Sequence, residues 1–356
     1  MHRRPVVRLV LAPLLAIVVA LGLGSWAAGR APDSRSGLAA ALDALPEGTL
    51  VAGFTDWSAI RADLRLGSAS TAADRAALTD DASLRDLTTR SVLAGAIADM
   101  HRAYGWSAAD LDWESYGQAP GGAVMVAHFA DGVSIGAIEK RLRSLGYTRD
   151  GDQWTVPTDG SSTVTPELAT TLANLAFDRR LRLVIAADRP AYVPTVLSTI
   201  RGSRPSALAN RSLADVATAL EGSDSAVLQG QTFGCQATSL ATLGPDVQAQ
   251  AEAARGRVGE LVSPRFTGRG LVDGRTTQSI RFVSAYGSPA EASDQTRVRA
   301  ALASGPFIGR TGRVEDSLVL RDATTSGTVS TLRFALDPDR GAYMSGEGPL
   351  LFASCP

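Results

Sequence analysis

The chain has 356 residues, of which 45% are hydrophobic and 20% charged, and its 35 basic residues nearly balance its 36 acidic ones. These proportions exclude collagen-like, coiled-coil and mostly disordered classes, and they predict a globular protein of about two domains. A formal net charge of -1 also argues against a strongly basic nucleic-acid-binding protein.

The first 29 residues predict an export signal or a membrane anchor. Three arginines precede an apolar stretch from Leu9 to about Ala28, and basic residues before such a stretch stay on the cytoplasmic side. A stretch of about 20 residues is long enough to cross a hydrocarbon core of about 30 Å. Cleavage by a signal peptidase after Gly29 would place the small residues Ala27 and Gly29 at positions −3 and −1. The segment is therefore either a cleaved signal or, if it is not cleaved, a membrane anchor. We expect an extracytoplasmic protein, secreted or membrane-anchored.

The only two cysteines, Cys235 and Cys355, predict one disulfide, because an even number of cysteines in an exported chain favours pairing. The alternative is two buried thiols. Closing a loop of about 120 residues would stabilise the fold by roughly 4–5 kcal/mol on the chain-entropy model. No cysteine lies near the export segment, which excludes a lipoprotein, whereas the pair Arg3-Arg4 leaves twin-arginine export as an alternative.

A polar stretch containing Gly and Pro, residues 201–212, is the best internal boundary. It divides the mature chain into a first half at 30–205 and a second half at 206–356. Each half has a comparable order of strand, helix, strand, turn, helix and further strands. We therefore predict an α+β fold of two similar halves, each with a mixed or antiparallel sheet covered by helices.

Apolar spacing predicts the individual elements, with period 3.6 for helices and period 2 for strands. Ser83 with Asp86, and Ser288 with Glu291, resemble capping boxes at helix starts. In the first half the predicted elements are strands at Leu50–Thr55, Ala123–Phe129, Gln153–Val156 and Leu181–Ala186, and helices at Leu84–Tyr104, Ile135–Leu145 and Val193–Ile200. In the second half they are strands at Ala226–Phe233, Gln278–Tyr286, Leu318–Arg321, Val329–Leu336 and Leu350–Ala353, and helices at Leu213–Leu220, Pro245–Leu261 and Pro289–Ser304.

The residues needed for common catalytic sites are scarce. Only three histidines occur, His2 in the export segment, His101 and His128, and no Gly-x-Ser-x-Gly motif presents a nucleophile to one of them. The single lysine, Lys140, belongs neither to a Ser-x-x-Lys motif nor to a phosphate-binding loop. No Cys or His pair has zinc-ligand spacing. We therefore expect a non-catalytic protein with no cofactor and no metal.

The most unusual segment, Tyr104–Gly117, interleaves four aromatic residues with the acids Asp110, Asp112 and Glu114. A calcium loop would need a glycine and a distal Glu that are absent here, and a sugar-processing site would need a second convergent acid. The open alternatives are an ordered connection whose tryptophans fill the core, and a partner-binding surface. The candidate binding residues are Trp106, Asp110, Trp113, Glu114 and Tyr116.

Two further features have simple explanations. Asp56 is expected to cap a short helix. Six arginines lie between residues 250 and 281, against the acids Glu252, Glu260 and Asp273, and give a local charge of +3, from 6 minus 3. Such a cluster would attract anionic head groups or envelope polymers, but the chain uses Arg in place of Lys almost everywhere, so composition alone also explains it.

Residues 44–58, ALPEGTLVAGFTDWS, and residues 105–118, GWSAADLDWESYGQ, resemble exported actinobacterial proteins of unassigned function. More distantly, Leu45-Pro-Glu-Gly-Thr49 is similar to the Leu-Pro-Ala-Asp-Thr-like opening of bacterial secreted proteins of unknown function, with Glu47-Gly48 in place of Ala-Asp. The resemblance implies an exported chain with a repeated strand-plus-helix unit. It supplies no activity and no catalytic residues.

These observations predict a non-catalytic protein of the cell envelope with a binding or scaffolding role. One alternative is a carrier of an apolar, lipid-like envelope ligand. A second is a hydrolase that uses an unrecognised carboxylate pair among Asp110, Asp112 and Glu114. The expected partners are the membrane, through the N-terminal helix if it is uncleaved, and an envelope protein or lipid, with no nucleic acid.

Overall fold

Antiparallel pairing joins strands from both predicted halves into one sheet. The twelve strands found in the described residues are β1 (Val51–Thr55), β2 (Leu111–Ala119), β3 (Gly122–Phe129), β4 (Thr148–Asp150), β5 (Gln153–Thr155), β6 (Asn174–Asp178), β7 (Leu183–Ala187), β8 (Ser225–Gly230), β9 (Phe266–Asp273), β10 (Gln278–Ala285), β11 (Leu318–Ser326) and β12 (Val329–Leu336). Their spatial order is β11-β12-β10-β9-β8-β1-β2-β3-β7-β6-β5-β4. The strands of the two predicted halves meet where β1 pairs with β8, and Phe54 lies opposite Ala226 there.

The computed structural model describes residues 37–156, 166–241, 243–274, 277–337, 344 and 350–356. The predicted export segment, residues 1–29, lies outside them. In this part of the chain no helix has both the length and the apolarity that a membrane span requires. The helices there are α1 (Gly37–Asp43), α2 (Trp57–Asp63), α3 (Ala72–Leu84), α4 (Ile97–Tyr104), α5 (Ile135–Ser144), α6 (Pro166–Thr171), α7 (Val193–Ile200), α8 (Arg211–Ala219), α9 (Gln231–Ala237), α10 (Pro245–Val258) and α11 (Pro289–Leu302).

The sheet is covered on both faces, so successive strand residues enter different cores. Along β3, Met125 belongs to the cluster that also contains buried residues of α2 to α5, α10 and α11. Its neighbours Val124 and Val126 belong to the cluster formed with α1, α7 and α8. This alternation is the period of two that a strand imposes on its side chains. The predicted α+β class is confirmed, and the similarity of the two halves stays a prediction.

Helix α8 packs closely on the sheet because β9 carries glycines beneath it. A Cβ atom at Gly268 would lie 2.6 Å from both Leu220 Cδ1 and Val216 Cγ1, and one at Gly270 would lie 2.3 Å from Ser223 Oγ. The predicted boundary near residue 205 falls in the connection between α7 and α8.

Several predicted elements agree with the structure. The bounds of α7 and β12 match, Asp56 caps α2 by accepting a hydrogen bond from the Ala59 backbone N at 2.9 Å, and Ser288 caps α11. The predicted strand Ala226–Phe233 ends at Gly230, where α9 begins. Leu351–Ala353 forms a short 3-10 helix and not the predicted strand.

The prediction of one helix over Leu84–Tyr104 is wrong. Helix α3 ends at Leu84 and α4 covers only Ile97–Tyr104, because Asp86 takes a left-handed φ of 60°. The Asp86 carboxylate accepts hydrogen bonds from Thr89 Oγ1 and the Met344 backbone N, so it holds a turn and does not cap a helix. The capping box of this region is formed by Thr71 and Asp74 at the start of α3. Strands β2, β4, β6 and β9 were not predicted.

Candidate functional site

Glu114, at the centre of the predicted binding segment, is only 1% exposed. Its Oε2 accepts hydrogen bonds from Trp57 Nε1 at 3.1 Å and Ser91 Oγ at 2.6 Å, and its Oε1 accepts one from the Val92 backbone N at 2.6 Å. Burial raises the pKa of the Glu114 carboxyl, and these donors counteract part of that rise. Glu114 therefore ties α2 and the chain before α4 to β2, and it has no exposed face with which to bind a partner.

The two tryptophans of the segment also lie in the core. Trp106 is 1% exposed and packs edge-on against Phe129, with ring centroids 5.0 Å apart. Trp113 is 9% exposed and stacks on His128 at 5.8 Å. Burial of Trp106, Trp113 and Glu114 thus removes three of the five predicted binding residues from any accessible surface.

Asp112 and His128 form a polar pair beside Trp113. His128 Nδ1 lies 2.9 Å from Asp112 Oδ2, and Arg61 Nη2 lies 4.0 Å from Asp112 Oδ1. The hydrogen bond with His128 is the main cause that lowers the pKa of the Asp112 carboxyl. Glu114 is enclosed and Asp112 is paired with His128, so these two carboxylates do not meet in one accessible site.

Asp110 and Tyr116 lie apart from this pair. Asp110 closes a short 3-10 helix, where its Oδ2 accepts a hydrogen bond from the Ser107 backbone N at 2.9 Å. It also lines an open cleft of about 530 Å³ with Tyr104 and Arg141. Tyr116 is half-buried on β2, and burial raises its pKa. The structure does not gather the five predicted residues into one exposed site.

The C-terminal segment is fixed by a disulfide and by a buried arginine. Cys235 of α9 is bonded to Cys355, with Cα atoms 5.1 Å apart, which confirms the predicted pairing. Arg299 of α11 is 2% exposed and donates hydrogen bonds to the carbonyl oxygens of Phe352 and Ser354, both at 2.9 Å. Its Nε donates to Tyr286 Oη at 2.7 Å.

An aromatic cluster holds the same segment against the sheet. Phe352 packs on Phe282 of β10 and Phe334 of β12, with ring centroids 5.1 and 5.0 Å apart. Residues 350–356 are therefore fixed against the body of the fold, and they are called the C-terminal wall below.

A pocket of about 220 Å³, lined mainly by residues with apolar side chains, lies between α10, α11 and the C-terminal wall. Exposed Ala301, Ser304 and Arg257 lie at its mouth, and Arg257 is the one charged residue among the described residues that line it. The volume exceeds that of an apolar cavity of about 150 Å³ that binds benzene, so the pocket is large enough for a short apolar group. Its other lining residues are Ala254, Val258, Leu302, Pro306, Phe307, Ile308, Val314, Leu351 and Phe352.

The predicted arginine cluster is dispersed in the fold. Arg269 is buried in β9, and Arg281 donates hydrogen bonds to the Ala219 and Glu221 carbonyl oxygens at the end of α8. Arg275 lies outside the described residues. Arg257 remains exposed in the last turn of α10, and among the described residues it has no hydrogen bond or ion pair.

This pocket could not be predicted from the sequence, because four separate segments build it and none of them carries a motif. The one sequence signal that bears on it is Cys355, whose pairing brings the C-terminal wall to the body of the fold.

The geometry defines the class: an α+β protein on a single antiparallel sheet, with an apolar pocket beside a disulfide-bonded C-terminus. No family model matches the chain, and no curated protein matches it. Two solved structures, crystal forms I and III of TP0453, are similar to it with TM-scores of 0.42 and 0.39 and identities of 9% and 8%. They cover 88% and 84% of this chain and 98% and 94% of their own chains. Similarity at this level carries no information on function.

Proposed function

We propose that the protein is an exported, non-catalytic binding protein of the cell envelope whose ligand places an apolar group in the pocket between α10, α11 and the C-terminal wall. The apolar pocket is the observation that carries this proposal. It combines the binding role and the apolar-ligand alternative that the sequence suggests.

The physical basis is the apolar lining of a preformed space. Leu302, Phe307 and Leu351 are each at most 8% exposed, and they face space that no described side chain fills. An apolar ligand that enters this space gains about 25 cal/mol for each Å² removed from water. The Arg299 hydrogen bonds and the disulfide hold the wall in place, which reduces the ordering cost of binding.

The disulfide supports the extracytoplasmic location, because disulfides persist mainly in oxidising compartments. The non-catalytic role is supported by the lining of the pocket, because Arg257 is the only titratable residue among the described residues that line it. A lone arginine keeps its proton at neutral pH and therefore serves poorly as a general base.

The test is calorimetric titration of the processed chain with 1-octanol, a neutral eight-carbon probe. Ala301→Trp would fill the mouth from an exposed position on α11, and Ala253→Trp places the same side chain at an exposed position of α10 outside the pocket. We expect octanol to bind the wild type and Ala253→Trp but not Ala301→Trp. Absence of binding to the wild type, or equal binding to all three proteins, would overturn the proposal.

A further inference from the structure

We infer, on the basis of the proposed function, that the ligand is a single-chain amphiphile of medium length whose anionic head group pairs with Arg257. The pocket supplies the apolar chain with a site, and its mouth supplies one guanidinium. The two features lie next to each other because Arg257 and Val258 are adjacent in the last turn of α10.

The charges around the mouth favour an anion. Arg310 stacks over Phe307, a lining residue, with its guanidinium carbon 5.1 Å from the ring centroid, so a second cationic group lies beside the pocket. Glu315 does not line the pocket; its carboxylate accepts hydrogen bonds from the Gly305 backbone N at 3.0 Å and from Arg313 at 3.2 Å.

The neighbouring arginine of α10 has a different environment. Arg255 lines a separate cleft of about 490 Å³ together with Glu252, Glu260 and the C-terminal Pro356. Two acids there balance its charge, which makes that cleft a poor site for an anion. Arg257 is the arginine of this helix that an incoming head group can pair with.

The volume limits the length of the chain. A cavity of about 150 Å³ holds the six carbons of benzene, so a pocket of 220 Å³ accommodates about nine carbons at the same density. Each added methylene should raise affinity about fourfold while it is buried. We expect the gain to stop near nine carbons, because later methylenes extend into water.

The experiment compares sodium octanoate, 1-octanol and octylammonium by calorimetry at low salt. We expect octanoate to bind the wild type about tenfold more tightly than octanol, as a charge-assisted hydrogen bond would provide, and octylammonium to bind most weakly. Arg257→Gln should remove the advantage of octanoate over octanol. The matched control, Arg211→Gln, changes an exposed arginine at the start of α8 and should preserve the advantage.

The outcomes separate this inference from the proposed function. If octanol binds and octanoate binds no better, the anionic head group is wrong and the apolar pocket stands. If Arg257→Gln weakens octanol and octanoate equally, Arg257 acts through the fold and the inference fails. If neither probe binds the wild type, the proposed function itself is overturned. Affinity that keeps rising from nonanoate to dodecanoate would contradict the length limit.

Discussion

Asp224, which directly precedes β8, should make the fold less stable at neutral pH than in weak acid. It is 7% exposed, and its Oδ2 accepts a hydrogen bond from the Asp273 backbone N at 2.6 Å. Burial raises the pKa of the Asp224 carboxyl to about 6 from its ordinary 3.8, and the nearby charges of Asp63, Asp56 and Asp273 add to the rise.

The direction of the effect follows from proton linkage. A carboxyl with a raised pKa binds its proton more tightly in the folded state, so the folded state is favoured when the group is protonated. This contribution is complete below the unfolded pKa near 4 and is lost as the pH rises through about 6. A difference of about two pKa units corresponds to roughly 3 kcal/mol, and we expect about 2 kcal/mol because the site relaxes.

The substitution Asp224→Asn tests this reasoning, because an amide keeps an acceptor for the Asp273 N–H and carries no charge. We expect the variant to exceed the wild type in unfolding free energy by about 2 kcal/mol at pH 7 and to match it near pH 4. Urea unfolding with the disulfide intact measures both values. Asp215→Asn, at a more exposed position of α8, is the control and should show no such difference. A variant that is less stable at pH 7, with the same pH dependence as the wild type, would refute the reasoning.

Three further variants test the packing. Replacing both Cys235 and Cys355 by Ser should lower the unfolding free energy measured in urea by about 4–5 kcal/mol, since the disulfide closes a loop of 120 residues. The same variant should bind octanol more weakly. Unchanged stability and unchanged octanol binding would contradict a C-terminal wall that the disulfide holds in place. Gly268→Ala should cost about 1–3 kcal/mol in thermal melts, because its Cβ would overlap Leu220; a neutral result would refute that close packing. Glu114→Ala should lower the unfolding free energy measured in urea by about 3 kcal/mol, because the buried donors Trp57 Nε1 and Ser91 Oγ lose their acceptor. Unchanged stability would contradict this structural role and would fit a residue that only binds a partner.

Elements with strong local signals could be predicted from the sequence. Ser288 followed by Pro289 fixes the start of α11, and the alternating residues of Val329–Leu336 give β12 its correct bounds. The α+β class and the cysteine pair followed from the same kind of evidence. The residues that determine the helix start and the strand lie close together in sequence. The two cysteines have no other cysteine with which to form a disulfide.

Distant contacts account for the predictions that failed. Leu93, Ile97, Met100 and Tyr104 have helical spacing, but Ser91 and its neighbour turn away to bond Glu114, so the helix begins only at Ile97. Because these contacts join residues that are distant in sequence, the structural role of Glu114 could not be predicted from the sequence. Its partner Trp57 lies 57 residues earlier, and the acids and aromatic rings of β2 therefore resemble an exposed binding segment when they are considered alone.

The most direct test of the proposed function is native mass spectrometry of the protein purified from the organism that produces it, followed by organic extraction. The account predicts an added mass that organic solvent removes and that yields an acid with a medium-length apolar chain. Ala301→Trp should abolish the added mass, and Ala253→Trp should retain it. A bare mass with only the two-hydrogen deficit of the disulfide, together with no binding of octanol or octanoate, would contradict the account.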